Sequence, residues 1–169
     1  MVHNPLPKEA CMSSIDTSLY TPELVFFDFE ATDYVDFFQK FSQIMMEKGY
    51  VKDSWCAAIT ERERTYATGL LFENLPVAIP HVDPQHIIKP YIAIIKPKTS
   101  ISFEPMAGMV DHPIDTKLIV NLGLLKHAEG QVEVLQAMMG MFMDDNAVAD
   151  ILSQTTAEGM VDCFKRHAN

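Results

Sequence analysis

The chain has 169 residues, 48% of them hydrophobic, and its 13 Lys and Arg against 23 Asp and Glu give a formal net charge of -10. Length and apolar content suit one domain around one sizeable core. A surface this acidic repels nucleic acid and anionic lipid and attracts a basic protein partner.

No apolar run approaches the ~20 residues that span a bilayer. The opening residues, MVHNPLPKEACMSS, lack a basic stretch followed by an apolar one, so a cytoplasmic protein without membrane insertion is expected. Cys11, Cys56 and Cys163 are odd in number, far apart and without a CxxC pair, which indicates neither a disulfide framework nor a zinc site.

Residues 1–22 carry Pro and Ser with little periodicity and read as a loose lead-in to a domain spanning 23–169. Leu24 to Ala31 reads as a strand. Thr32 or Asp33 then caps a helix whose apolar positions, Val35, Phe37, Phe38, Phe41, Ile44 and Met45, recur at helical spacing until Gly49. Asp53 and Ser54 are candidate caps for a second helix, running through Trp55, Ala58 and Ile59 into the charged run Glu61 to Arg64, and residues 74–76, NLP, mark a turn. VAIP (77–80), YIAII (91–95) and Lys117 to Leu125 are short and β-branched, which predicts strands. From Glu129 the period turns helical, with Val132, Leu135, Met138, Met139 and Phe142 on one face, and helices follow around Val148 to Leu152 and Ala157 to Arg166. The order predicts a single-domain α/β fold with a central mixed sheet flanked by helices.

Chemistry concentrates between Ile59 and Ile87. Pro80 fixes φ and removes a backbone donor, so the preceding strand should break there and present the His81 imidazole at its carboxyl end, where α/β folds usually place sites. A neutral imidazole accepts a phosphoryl group near pH 7 when its other ring nitrogen donates a hydrogen bond that fixes the tautomer. His81, Asp83 and His86 also pose the question of a metal-dependent hydrolase, but Pro84 interrupts any helix that would align the two histidines and no metal is expected. His3, His112 and His167 read as surface residues, and the methionines at 138, 139, 141 and 143 as adaptable packing.

The ordered set Arg62-Glu63, Thr68-Gly69 and VAIPH, Val77 to His81, resembles the active-site signature of the fructose and mannitol type of phosphotransferase-system enzyme IIA. The loop between Gly69 and VAIPH, the segment HVDPQHIIKP and residues 103–106, FEPM, are similar to the galactitol-specific subgroup. The resemblance implies a mannitol-type IIA domain that needs no cofactor. His81 would be phosphorylated by HPr and would pass the group to a IIB component feeding a membrane IIC permease, or serve as a regulatory phosphoprotein. It also implies a phosphate clamp at Arg62, for which Arg64 competes, with supporting places for Glu63 and Thr68, while His86 reads as a loop histidine near the site. Mannitol-type members carry a second histidine at a helix start; here Gln131 occupies that frame, and His127 lies one turn earlier.

Overall fold

The computed structural model describes residues 15–125 and 128–167, and for 128–131 the backbone alone. Its α-helices and strands run in the order β1 (Tyr20–Phe29), α1 (Tyr34–Glu47), α2 (Trp55–Thr65), β2 (Gly69–Leu70), β3 (Val77–Ala78), β4 (Tyr91–Pro97), β5 (Ile101–Phe103), β6 (Ile114–Thr116), β7 (Leu118–Gly123) and α3 (Ala128–Met143). Helices α4 (Asp145–Ser153) and α5 (Ala157–His167) follow. Strand β1 begins at Tyr20, inside the segment expected as lead-in, because Tyr20 is itself buried and pairs with Ile92.

The strands form a five-stranded sheet of order β1-β4-β7-β3-β2, in which β1/β4 and β7/β3 are parallel and β4/β7 and β3/β2 antiparallel. Both faces are covered, so the central strands are largely apolar and their side chains alternate between two cores. Ile92 and Ile94 of β4 with Leu118, Val120 and Leu122 of β7 join the core beneath α3, α4 and α5. Tyr91, Ala93, Ile95 and Ile119 turn to the opposite core, which Phe37, Phe38, Phe41 and Met45 of α1 and Trp55 and Ile59 of α2 complete.

Asp33, rather than Thr32, caps α1: its carboxylate accepts from the Asp36 amide at 2.8 Å, and the Asp36 carboxylate accepts in return from the Thr32 amide at 2.9 Å. Gly49 follows the helix at φ +80°, a conformation that glycine adopts without a Cβ penalty. Composition did not reveal two features, the pairing of Gly69–Leu70 with β3 and the β5/β6 hairpin. A close backbone approach links the two: the Gly69 amide donates to the carbonyl of Glu104, just after β5, at 3.0 Å, and a Cβ on Gly69 would stand 2.6 Å from that oxygen.

Candidate functional site

His81 lies just beyond β3, where the chain makes a single parallel bridge to Leu122 of β7. Pro80 has no amide to continue the ladder, so its carbonyl fixes the strand end: it accepts from the Leu122 amide at 3.2 Å and from Asn121 Nδ2 at 3.0 Å. Asn121 Oδ1 in turn accepts from the Tyr91 hydroxyl at 2.6 Å. Tyr91 and Asn121 are fully buried, and in the register of β4 and β7 Tyr91 sits opposite Gly123. That glycine makes room for the ring, since a Cβ there would lie 2.1 Å from Tyr91 Cε1. A buried polar chain thus runs from β4 through β7 to the residue before His81.

Nδ1 of His81 is 2.9 Å from the Ile79 carbonyl, which has no proton to give, so Nδ1 carries the hydrogen and Nε2 holds the free lone pair. His81 is 8% exposed. Burial pushes its pKa below the usual histidine value, the bond to Ile79 opposes that shift, and the Arg62 charge adds to it. The imidazole is therefore neutral at physiological pH, with its nucleophilic nitrogen defined.

Arg62 reaches this nitrogen from α2. Its Nη2 is 3.4 Å from His81 Nε2, its Nη1 is 3.3 Å from Asp83 Oδ1, and its guanidinium carbon sits 5.7 Å from the Tyr66 ring centroid. Arg64, two residues on, points elsewhere: its contact is Glu61 at 3.7 Å, with the side chain 59% exposed. Of the two competing arginines, Arg62 is the one beside the imidazole.

Glu63 occupies the inner face of α2, in series with Trp55 and Ile59 at successive intervals of four residues. It accepts from the Thr68 amide at 2.8 Å and from the Thr68 hydroxyl at 3.0 Å. The Thr68 carbonyl accepts from the Ile79 amide at 3.3 Å. Glu63 and Thr68 therefore tie α2 to the strand end that carries His81 and do not themselves face the nucleophile. Burial raises the Glu63 carboxyl to about 7, against the opposing pull of the Thr68 donors and the Arg62 charge.

His86 is turned away, its Nδ1 on Ser54 Oγ at 2.8 Å and its Nε2 on Gln85 at 3.2 Å. The Ser54 side chain consequently leaves α2 without a side-chain cap. Gln131 lies in the first turn of α3 with its side chain outside the described residues, and His127 lies outside them altogether.

Among the described residues, the His, Cys, Asp and Glu side chains close enough to share an ion are Asp150, Cys163 and His167, not the group His81, Asp83 and His86. Asp150 already holds Arg166 at 2.9 Å and His167 at 2.8 Å, and burial with the neighbouring carboxylate pushes the Cys163 thiol up to about 12. Asp150 of α4 is thereby stapled to α5 through an ion pair with Arg166 and a contact with His167, which belongs to this cluster instead of standing free on the surface. Among the described residues no helix is long and apolar enough to cross a membrane.

The residues that sequence reasoning missed are Tyr91, Asn121 and Gly123, which read as ordinary strand positions. The available signal was an Asn and a Gly on the same face of an otherwise apolar strand.

Residues 18–167 match the family model described as phosphoenolpyruvate-dependent sugar phosphotransferase system, EIIA 2. The galactitol-specific EIIA component of Escherichia coli K12 is 25% identical over 109 residues, covering 64% of this chain and 71% of that protein. The nitrogen regulatory protein IIA-Ntr of Neisseria meningitidis superposes with a TM-score of 0.70 at 20% identity, over 87% of this chain and 97% of that one. The mannitol enzyme IIA of Escherichia coli, in complex with phosphorylated enzyme IIB, superposes with a TM-score of 0.65 at 14% identity, over 85% and 95%.

Proposed function

Since the chain belongs to the phosphoenolpyruvate-dependent sugar phosphotransferase system EIIA 2 family, we propose that it carries a phosphoryl group on Nε2 of His81, received from phosphorylated HPr and delivered to a IIB partner. The carrying observation is the Nδ1 bond to Ile79, which leaves Nε2 unprotonated beside the Arg62 guanidinium. In the first transfer the Nε2 lone pair forms the new P–N bond as the donor's P–N bond breaks, and the departing imidazole keeps that electron pair. In the second, an acceptor thiolate attacks phosphorus, a P–S bond forms, and the electron pair returns to Nε2.

Both donors are phosphohistidines of similar transfer potential, so the site has chiefly to position the groups and neutralise the equatorial oxygens. Arg62 supplies the charge. Gln131, one of whose amide hydrogens suits a phosphoryl oxygen, is the second donor in this proposal, in the place where mannitol-type members carry a histidine. The 3.4 Å separation of Arg62 from Nε2 is that of a resting site, in which catalytic hydrogen bonds are commonly long.

The similarity to the galactitol-specific component supports a galactitol-like polyol as the transported solute, held by a membrane IIC permease and not by this chain, which works in the cytoplasm. Incubation with phosphoenolpyruvate, enzyme I and HPr, followed by intact mass measurement, tests the proposal. One acid-labile, base-stable phosphoryl group is expected; a label that survives acid contradicts a phosphohistidine.

A further inference from the structure

Asp83 has no part in the transfer just described, yet it holds the same guanidinium. Its Oδ1 is 3.3 Å from Nη1 of Arg62, while Nη2 of that arginine faces His81 Nε2 at 3.4 Å. Asp83 also precedes the short turn Pro84–His86, where an aspartate ordinarily caps the following amides, and here its side chain makes no capping bond. Because Nε of Arg62 is buried without a hydrogen-bond partner and its guanidinium lies against Tyr66, the two Nη groups are what this arginine offers to anions, and Asp83 already holds one of them.

We propose that Asp83 is a resident counter-charge that occupies Arg62 in the dephosphorylated state, competes with the phosphoryl group for it, and so biases phosphorylated His81 toward giving the group away. The proposal rests on His81 being the phosphorylated residue. Before transfer, the Asp83 carboxylate and the imidazole share Arg62. After transfer, a phosphoryl group bearing up to two negative charges at Nε2 is the stronger partner for a guanidinium, and the carboxylate is left as a like charge on the same arginine. Asp83 therefore stabilises the empty carrier and destabilises the loaded one, and both effects lower the equilibrium occupancy of His81. The Asp83 side chain is 66% exposed, so solvent screens the effect and holds it to a modest factor.

Asp83→Asn removes the charge at nearly constant size. In a mixture of phosphorylated HPr and this protein at equilibrium, the variant should shift the phosphoryl distribution toward His81 by about three- to tenfold, the range for one screened charge acting on a multiply charged group. Asp83→Glu, which keeps the charge, should restore a distribution close to that of the natural protein. The equilibrium constant is the chosen readout because altered docking with HPr changes rates and leaves it alone. If the natural protein takes no phosphoryl group on His81, the underlying function fails. If it does, and Asp83→Asn leaves the equilibrium constant unchanged or moves it toward HPr, the counter-charge is overturned.

Discussion

Replacing Glu63 with glutamine should change how stability depends on pH. The Glu63 carboxyl is 3% exposed, and burial lifts it from 4.5 to about 7. A group whose folded pKa lies above its unfolded value contributes its stabilisation fully below the unfolded pKa and loses it as pH rises through the folded one. The window is thus pH 4.5 to about 7. At ~1.36 kcal/mol per unit the shift amounts to about 3 kcal/mol, an order-of-magnitude value. Glutamine mimics the protonated acid, with its carbonyl accepting from the Thr68 amide and its amide donating to the Thr68 hydroxyl. The variant should match the natural protein near pH 4.5 and exceed it by about 3 kcal/mol near pH 8. His81 acts in the opposite direction, because its lowered pKa lets the unfolded chain take up a proton first as pH falls below 6.5. Both proteins share that contribution, so it cancels in the difference. Urea unfolding of the two proteins across this range is the assay. A stability difference that does not vary with pH would show that Glu63 is ionised in the fold, and the reasoning would fail.

Arg62→Ala should slow phosphoryl transfer roughly ten- to hundredfold with the fold intact, the loss of one charge-assisted hydrogen bond of ~1.5–3 kcal/mol. Stopped-flow transfer from phosphorylated HPr checks this beside Arg64→Ala, which should behave like the natural protein; an Arg64 variant slower than the Arg62 variant reverses the assignment. Gly123→Ala should destabilise by about 1–3 kcal/mol through collision with Tyr91, whereas Gly140→Ala, in α3 with nothing within 4 Å of a new Cβ, should gain ~0.5–1 kcal/mol in thermal unfolding. Equal effects at the two glycines would remove the steric account. Asn121→Ala should cost ~1–3 kcal/mol by stranding the Tyr91 hydroxyl, and it should slow phosphate acceptance because the Pro80 carbonyl keeps only the Leu122 amide and the His81 strand end loses its side-chain anchor. A destabilised variant with an unchanged acceptance rate would confine Asn121 to folding.

Residues of strong local character were legible in the sequence. The α1 face of Phe37, Phe38, Phe41 and Met45 is readable because helical periodicity and a capping residue agree, and the core uses those residues. Pro80 announces its own strand break. Contacts between distant segments were not legible. Glu63 sits in a run of four charged residues that looks solvated, and only its spacing from Trp55 and Ile59 reveals a buried position. The choice between Arg62 and Arg64 depends on a rotation of α2 that sequence leaves open and the packed Trp55 face decides. Strands of two residues, such as Gly69–Leu70, carry no periodicity at all, and the close approach of Gly69 to the Glu104 backbone is a contact between distant segments. The start of β1 at Tyr20 was hidden because Thr21 and Pro22 read as turn residues although the strand runs through them.

The central claim is that Nε2 of His81 is the phosphoryl acceptor. The direct measurement is a long-range proton–nitrogen correlation spectrum of the ¹⁵N-labelled protein, recorded before and after phosphorylation through enzyme I and HPr. The tautomer fixed by Ile79 predicts that one imidazole, absent from a His81→Ala variant, changes at Nε2 while its Nδ1 keeps the proton. Phosphorylation at Nδ1 of His81, or on the ring of His86 or His127, would contradict the account.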